Sequence, residues 1–152
     1  MDLLVIGSSV AFVSYILASV ATVSRLFHPK GPNIVLVLSL GCVAIVAHTL
    51  SNGQYLYQQA DINFSLPNVV SLVSLLITLL VSLVALKYKV NLLLPVVYSF
   101  AGIWQLLMIF IPPNVLIPLS AEKVFLVTHI TLALIAYCVL IIATLYAFQV
   151  AY

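Results

Sequence analysis

The segment from Lys123 to Tyr152 carries no Asp, Glu, Lys or Arg after its first residue. It is longer than the ~20 apolar residues that a helix needs to cross a bilayer. Such a segment can span a membrane as a helix, because a helix pairs its own backbone N–H and C=O groups where water is absent. The whole chain fits this class, since 65% of its 152 residues are hydrophobic and 5% are charged, which no soluble domain could bury. We therefore predict an integral membrane protein.

Four more apolar segments precede this one. The segments of spanning length lie at about 3–27, 33–50, 66–86, 92–111 and 124–149. We predict an all-α fold, a polytopic membrane helical bundle with five transmembrane helices, forming a single transmembrane domain over residues 1–152. The fourth helix holds Pro95, which we expect to free a backbone carbonyl and bend the helix axis.

The basic residues of the connectors predict the orientation in the membrane. Four lie in the two connectors on one side, and Lys123 lies on the other; the four are Arg25, Lys30, Lys87 and Lys89. Because Lys and Arg accumulate on the cytoplasmic side, we expect the N-terminus outside and Tyr152 in the cytoplasm. The net charge of +2 is spread over helix ends and does not indicate nucleic acid.

Two histidines lie inside predicted helices. His48 shares a helix face with Gly41 and Ala44, about 22 Å of helix rise from Asn33. His129 lies near the start of the last helix, on a stripe of small residues that includes Ala133 and Ala136. On the predicted orientation, both histidines lie at a common depth in the outer leaflet.

This common depth leaves two interpretations open. Neutral imidazole is a ligand for iron, copper and zinc, and paired axial histidines are one way in which a helical bundle holds heme. That function requires the rings of His48 and His129 to face one cavity, where small neighbouring residues leave room for them. In the other interpretation, each histidine forms a hydrogen bond with a serine, a backbone carbonyl or interfacial water.

A polar stripe runs along the third predicted helix. Its members lie within an arc of about 120°, and they are Asn68, Ser71, Ser74, Thr78 and Ser82. The stripe either lines a hydrophilic path for a small solute or ion, or bonds to neighbouring helices and to its own backbone, and we favour packing. No acidic residue lies inside a predicted span, which argues against a proton- or cation-coupled transporter.

Three segments resemble those of a known family, the cytochrome c assembly proteins of the CcsA/HemX type. FSLPNVVSLVSLL (Phe64–Leu76) and VTHITLALIAYCVLIIATLYAFQVAY (Val127–Tyr152) are similar to two helices of that superfamily, the second matching at His129 and Tyr137. NLLLPVVYSFAGI (Asn91–Ile103) resembles the short YpjD-like inner-membrane branch. The resemblance covers about residues 33–152.

The resemblance implies a bacterial inner-membrane protein that binds or delivers heme at the outer face during cytochrome c biogenesis. It implies a heme-handling assembly factor instead of an enzyme, with His129 as a heme ligand and other cytochrome c maturation proteins and apocytochrome c as candidate partners. His48 is predicted to lie at the same depth as His129, which makes it the second candidate ligand of heme iron. The alternatives are a component of small-solute or ion transport and a non-catalytic membrane scaffold.

The chain departs from the family pattern in two respects. The tryptophan-rich WWD motif of the family is absent from these residues, whose one tryptophan, Trp104, lies on a different helix. A second outer histidine downstream of His129 is absent as well. We expect the sequence to be the N-terminal part of a longer protein.

Overall fold

The computed structural model describes residues 3–58, 61–62, 65–88, 92–111 and 121–151. Its helices are α1 (Leu3–Val23), α2 (Ile34–Leu56), α3 (Leu66–Ala85), α4 (Leu93–Phe110) and α5 (Ala121–Ala151). Between α2 and α3, strands β1 (Tyr57–Gln58) and β2 (Asp61–Ile62) pair antiparallel, with Tyr57 opposite Ile62 and Gln58 opposite Asp61. This ladder of two residues per strand belongs to a connector, and the predicted all-α fold is confirmed.

The described helices present apolar side chains to their surroundings. On α1, for example, Val13, Leu17 and Val20 are each more than half exposed. All five described helices are long and apolar enough to cross a membrane. Lipid tails match such a surface, whereas in water its exposure would be unfavourable. The chain is therefore an integral membrane protein with several spans.

Two helix ends differ from the predicted boundaries. Helix α1 ends at Val23 and is followed by turns, one of which places Gly31 at φ 66°, a left-handed conformation that suits glycine. Helix α2 continues to Leu56, beyond its apolar run. Its polar continuation is packed inside the bundle, where Ser51 and Asn52 are 2% and 4% exposed. Burial of these polar side chains keeps the helix intact where hydropathy alone predicts a loop.

Helices α1 to α4 form the core of the bundle. Helix α1 packs on α2 and α4, α3 packs on α2 and α4, and α5 contacts chiefly α3. Small residues such as Ala11, Ala18 and Ala44 are fully buried and let the backbones approach one another. The centre is filled by Tyr15 and Tyr98, both 0% exposed, whose ring centroids are 5.5 Å apart.

Gly41 of α2 lies directly against the Tyr98 side chain of α4. A Cβ atom at this position would overlap the Tyr98 hydroxyl and lie 2.9 Å from its Cζ. The same hydroxyl lies 2.7 Å from Ser82 Oγ on α3. Three helices therefore meet at the end of one tyrosine side chain, and the site tolerates only glycine on α2 without movement.

Pro95 lies in the first turn of α4 and not in its interior. An N–H group in the first turn has no acceptor within the helix, so this proline removes no helical hydrogen bond, and the predicted interruption is wrong. The Pro95 carbonyl accepts a 3.1 Å hydrogen bond from Ser19 Oγ, which also lies 2.8 Å from Ser99 Oγ. These contacts join the first turns of α4 to α1.

Candidate functional site

His48 lies at the centre of a buried polar cluster. It is 0% exposed, and both of its ring nitrogens have a partner. Nδ1 is 3.2 Å from the Tyr15 hydroxyl on α1, and Nε2 is 3.1 Å from Ser71 Oγ on α3. The Tyr15 and His48 rings meet edge to face. One imidazole thus links three helices inside the bundle.

Ser71 extends the cluster to a fourth helix. Its hydroxyl donates to Asn52 Oδ1 at 2.7 Å and accepts from Gln105 Nε2 at 3.1 Å. On the other side, the Tyr15 hydroxyl lies 3.2 Å from Thr78 Oγ1. We refer to this cluster as the His48 network, formed by Tyr15, His48, Asn52, Ser71, Thr78 and Gln105.

The order of donors and acceptors assigns a tautomer to His48. Ser71 has one hydroxyl proton, which it donates to Asn52, so its oxygen accepts from His48 Nε2. In a neutral imidazole, Nδ1 is then the acceptor, and the Tyr15 hydroxyl donates to it. The network therefore runs in one direction from Tyr15 through His48 to Asn52.

Two atoms of the network are not hydrogen-bonded. Among the residues that the structure describes, Asn52 Nδ2 and Gln105 Oε1 are buried without a hydrogen-bond partner. A buried polar atom left unpaired costs about 1–3 kcal/mol of stability. Both side chains bond to Ser71 through their other polar atom. An unused donor and an unused acceptor therefore lie on two side chains that bond to the same hydroxyl.

The polar stripe of α3 faces into the bundle. Asn68, Ser71, Ser74 and Thr78 are buried. The Ser74 hydroxyl donates to the Ser71 carbonyl at 2.8 Å, and the Ser82 hydroxyl donates to the Thr78 carbonyl at 2.6 Å. Bonds of this kind satisfy hydroxyl groups within their own helix and favour packing over a hydrophilic path.

His129 lies in different surroundings. It is eight residues after the first residue of α5, as His48 is eight before the last residue of α2. The two histidines are therefore equally far from these helix ends, and their common depth in the membrane stays a prediction. However, His129 is exposed whereas His48 is enclosed, and the structure does not bring the two rings into one cavity. Within the described ranges, no group of three or more His, Cys, Asp or Glu side chains could hold a metal ion.

The partners of His48 were not identified from the sequence. Tyr15 lies on the buried face of α1 between Ala11 and Ala18, and this pattern of small residues could have marked it as inward-facing. Gln105 shares a helix face with Tyr98, which could have indicated a buried amide. Neither pattern shows that Tyr15 contacts His48 or that Gln105 contacts Ser71, because the periodicity of a helix does not give the order in which helices pack.

The chain is similar to the inner membrane protein YpjD of Escherichia coli K12, with 37% identity over 144 residues, which cover 93% of this chain and 54% of that protein. YpjD of strains O6:H1 and O157:H7 matches to the same extent. The chain spans about half the length of the curated relatives it matches. No protein-family model and no solved structure matches it. The similarity and the apolar helices together support a multi-pass integral protein of the inner membrane.

Proposed function

We propose that this chain is part of a heme-handling protein of the cytochrome c assembly type, which binds or delivers heme at the outer face of the inner membrane. The observation that carries the proposal is the exposed imidazole of His129 within the membrane-spanning helix α5. Ionisable side chains in spanning helices are rare and are functional candidates by default. The sequence resemblance at His129 and Tyr137 supplies the identity of the ligand.

The surface around His129 suits a flat apolar ligand. Phe125 and Leu132 lie four residues before and three residues after it, hence on the same helix face. They are 82% and 62% exposed. Imidazole is a common axial ligand of heme iron, and apolar side chains pack against the faces of a macrocycle. Heme would supply the iron, while His129 holds it and the flanking side chains exclude water.

His48 fits a ligand role less well. Its two ring nitrogens are engaged by Tyr15 and Ser71, so iron could reach one of them only after a hydrogen bond breaks. Ligation by His48 stays a prediction that requires the His48 network to open. In the proposed function, His48 holds α1, α2 and α3 together.

The orientation belongs to the same proposal. The connectors that carry Arg25, Lys30 and Lys87 face the cytoplasm, following the distribution of basic residues. The N-terminus is then outside, Tyr152 is cytoplasmic, and His129 lies in the outer half of the membrane. Apocytochrome c and other maturation proteins, the proposed partners, would meet heme on that side.

The test is a hemin titration of the purified full-length protein in detergent, followed by the Soret absorption. We expect wild type to bind hemin and His129→Ala to lose at least tenfold in affinity. His28→Ala is the matched control, because His28 is also exposed but lies in the turn between α1 and α2. It should bind as wild type does.

Other outcomes would overturn the assignment. Equal hemin binding by wild type and His129→Ala would show that His129 is not the ligand. Absence of a Soret shift in wild type would show that the protein does not bind heme. A loss confined to His48→Ala, in a variant that still folds, would instead move the ligand to His48.

A second candidate function is favoured by the unpaired Asn52 Nδ2 and Gln105 Oε1, which suit a small polar solute. In a solute-binding component, Gln105→Leu should abolish transport of the solute in vesicles. In a scaffold, the same change should leave every transport measurement unaltered. A matched control is Gln54→Leu, at a half-buried position near the end of α2.

A further inference from the structure

A cavity lies at the end of the bundle that carries the basic connectors. Its volume is about 490 Å³, and it is bounded by the turn between α1 and α2 and by the last residues of α3. Three nitrogen-bearing side chains line it, those of His28, Lys30 and Lys87. Leu26, Ile34 and Leu86 also line it, and we refer to them as its apolar wall. The cavity is thus amphipathic, with cations beside an apolar surface.

Among the residues that the structure describes, the acidic positions lie away from these cations. Asp61 lies between α2 and α3, and Glu122 lies in the first turn of α5. Since consecutive spanning helices alternate in direction, both positions fall at the other end of the bundle. The cavity lies at the first residues of α2 and the last residues of α3. The helix dipoles place partial charges of opposite sign at these two ends, and the charges offset each other. Its positive potential therefore comes from side chains.

Local contacts orient the Lys87 ammonium group and the His28 ring. Lys87 Nζ lies 5.7 Å from the centre of the Tyr88 ring, within the range of a cation–π interaction. His28 Nδ1 accepts a 3.2 Å hydrogen bond from the Lys30 backbone N–H. In neutral His28 the ring proton is then on Nε2, so the side chain also offers a donor to the cavity.

We propose that this cavity binds the phosphate headgroup of an anionic phospholipid. Lys30, Lys87 and the His28 N–H bind the phosphate oxygens, since ammonium groups and N–H donors are the usual partners of phosphate. The apolar wall of Leu26, Ile34 and Leu86 accommodates the beginning of the acyl chains. A free phosphate ion would bind the same nitrogen groups but would leave the apolar wall uncovered. The apolar wall therefore favours a phospholipid over free phosphate.

The experiment is native mass spectrometry of the full-length protein in a neutral detergent, titrated with phosphatidylglycerol or with phosphatidylcholine of the same acyl chains. We expect retention of phosphatidylglycerol in preference to phosphatidylcholine. Lys30→Gln and Lys87→Gln should each weaken the retention about fivefold, as expected for one cation near a lipid headgroup. Both lysines are exposed, so the variants should fold.

Arg25→Gln is the matched control. Arg25 lies in the same connector and carries the same charge, but it lines a separate cavity of about 200 Å³. Its retention of phosphatidylglycerol should stay within twofold of wild type. If Arg25→Gln lost as much phosphatidylglycerol as the lysine variants, the retention would reflect general attraction to the basic surface. If phosphatidylcholine were retained equally well, the protein would have no preference for an anionic headgroup. Displacement of the lipid by inorganic phosphate at similar concentration would make the free anion the ligand, and each of these results overturns the proposal.

Discussion

The Tyr15 hydroxyl lies 3.2 Å from His48 Nδ1, and the two rings meet edge to face with centroids 5.9 Å apart and planes at 87°. This pair joins α1 to α2 in the centre of the bundle, as part of the His48 network. Because both side chains are fully buried, water cannot replace either partner once the other is removed. The stability of the first two helices therefore depends on a polar contact that hydropathy does not show.

Tyr15→Phe tests that contact. The change keeps the ring and removes the hydroxyl, leaving His48 Nδ1 without its donor. We expect the free energy of unfolding to fall by about 1–2 kcal/mol. Unfolding would be measured in mixed micelles with increasing SDS, followed by Trp104 fluorescence. Tyr88→Phe, at an exposed position, is the control and should leave the transition unchanged.

His48→Ala should destabilise the bundle by about 1–3 kcal/mol, because it removes one hydrogen-bond partner from Tyr15 and one from Ser71 inside the bundle. His129→Ala, at an exposed position, should have no measurable effect on unfolding. The double variant Tyr15→Phe, His48→Ala should fall short of the sum of the single changes by at least about 0.5 kcal/mol. Additive effects would mean that the two side chains do not interact.

Gly41→Ala should destabilise the bundle by about 1–3 kcal/mol, since the added Cβ overlaps the Tyr98 hydroxyl. Gly53→Ala is the control in the same helix, where a Cβ meets nothing within 4 Å. That change should be neutral or stabilising by up to about 1 kcal/mol, because alanine favours a helix. Adding Tyr98→Phe should recover part of the Gly41→Ala loss, and the SDS transition reports all three results.

The environments of the two intramembrane histidines can be compared by thiol labelling. In a Cys42→Ser, Cys138→Ser background, N-ethylmaleimide should modify His129→Cys much faster than His48→Cys, because the first position is exposed and, in the proposed function, open to the outer face, whereas the second is enclosed. Rapid modification of His48→Cys in the folded protein would contradict the enclosed position of His48. Labelling after SDS unfolding should equalise the two and serves as the control.

Hydropathy was sufficient to predict the fold class, because a spanning helix needs little beyond length and an absence of charge. It was insufficient for the end of α2. Residues such as Ser51 and Asn52 look like a polar connector, yet they continue the helix because they are buried between neighbours. Hydropathy also says little about which face of a helix is buried, since lipid-facing and buried faces are both apolar.

The candidate site was predicted only in part. The small residues beside His48, Gly41 and Ala44, indicated an inward face, and the ring is indeed fully buried. Counting residues predicted a depth for His129 but not its direction around α5, because rotation of a helix about its axis depends on its neighbours. Heme binding by His129 stays a prediction. The buried contacts of His48 with Tyr15 and Ser71 required coordinates.

The Ser71 hydroxyl has a consequence for the heights of the helices relative to one another. Lipid tails and apolar side chains offer little resistance when one helix slides along its neighbour. Ser71 on α3 contacts His48 and Asn52 of α2 and Gln105 of α4 at 2.7–3.1 Å. A slide by one residue, about 1.5 Å, would take at least one of these contacts out of hydrogen-bonding distance. One serine therefore fixes the heights of α2, α3 and α4 relative to one another along the membrane normal.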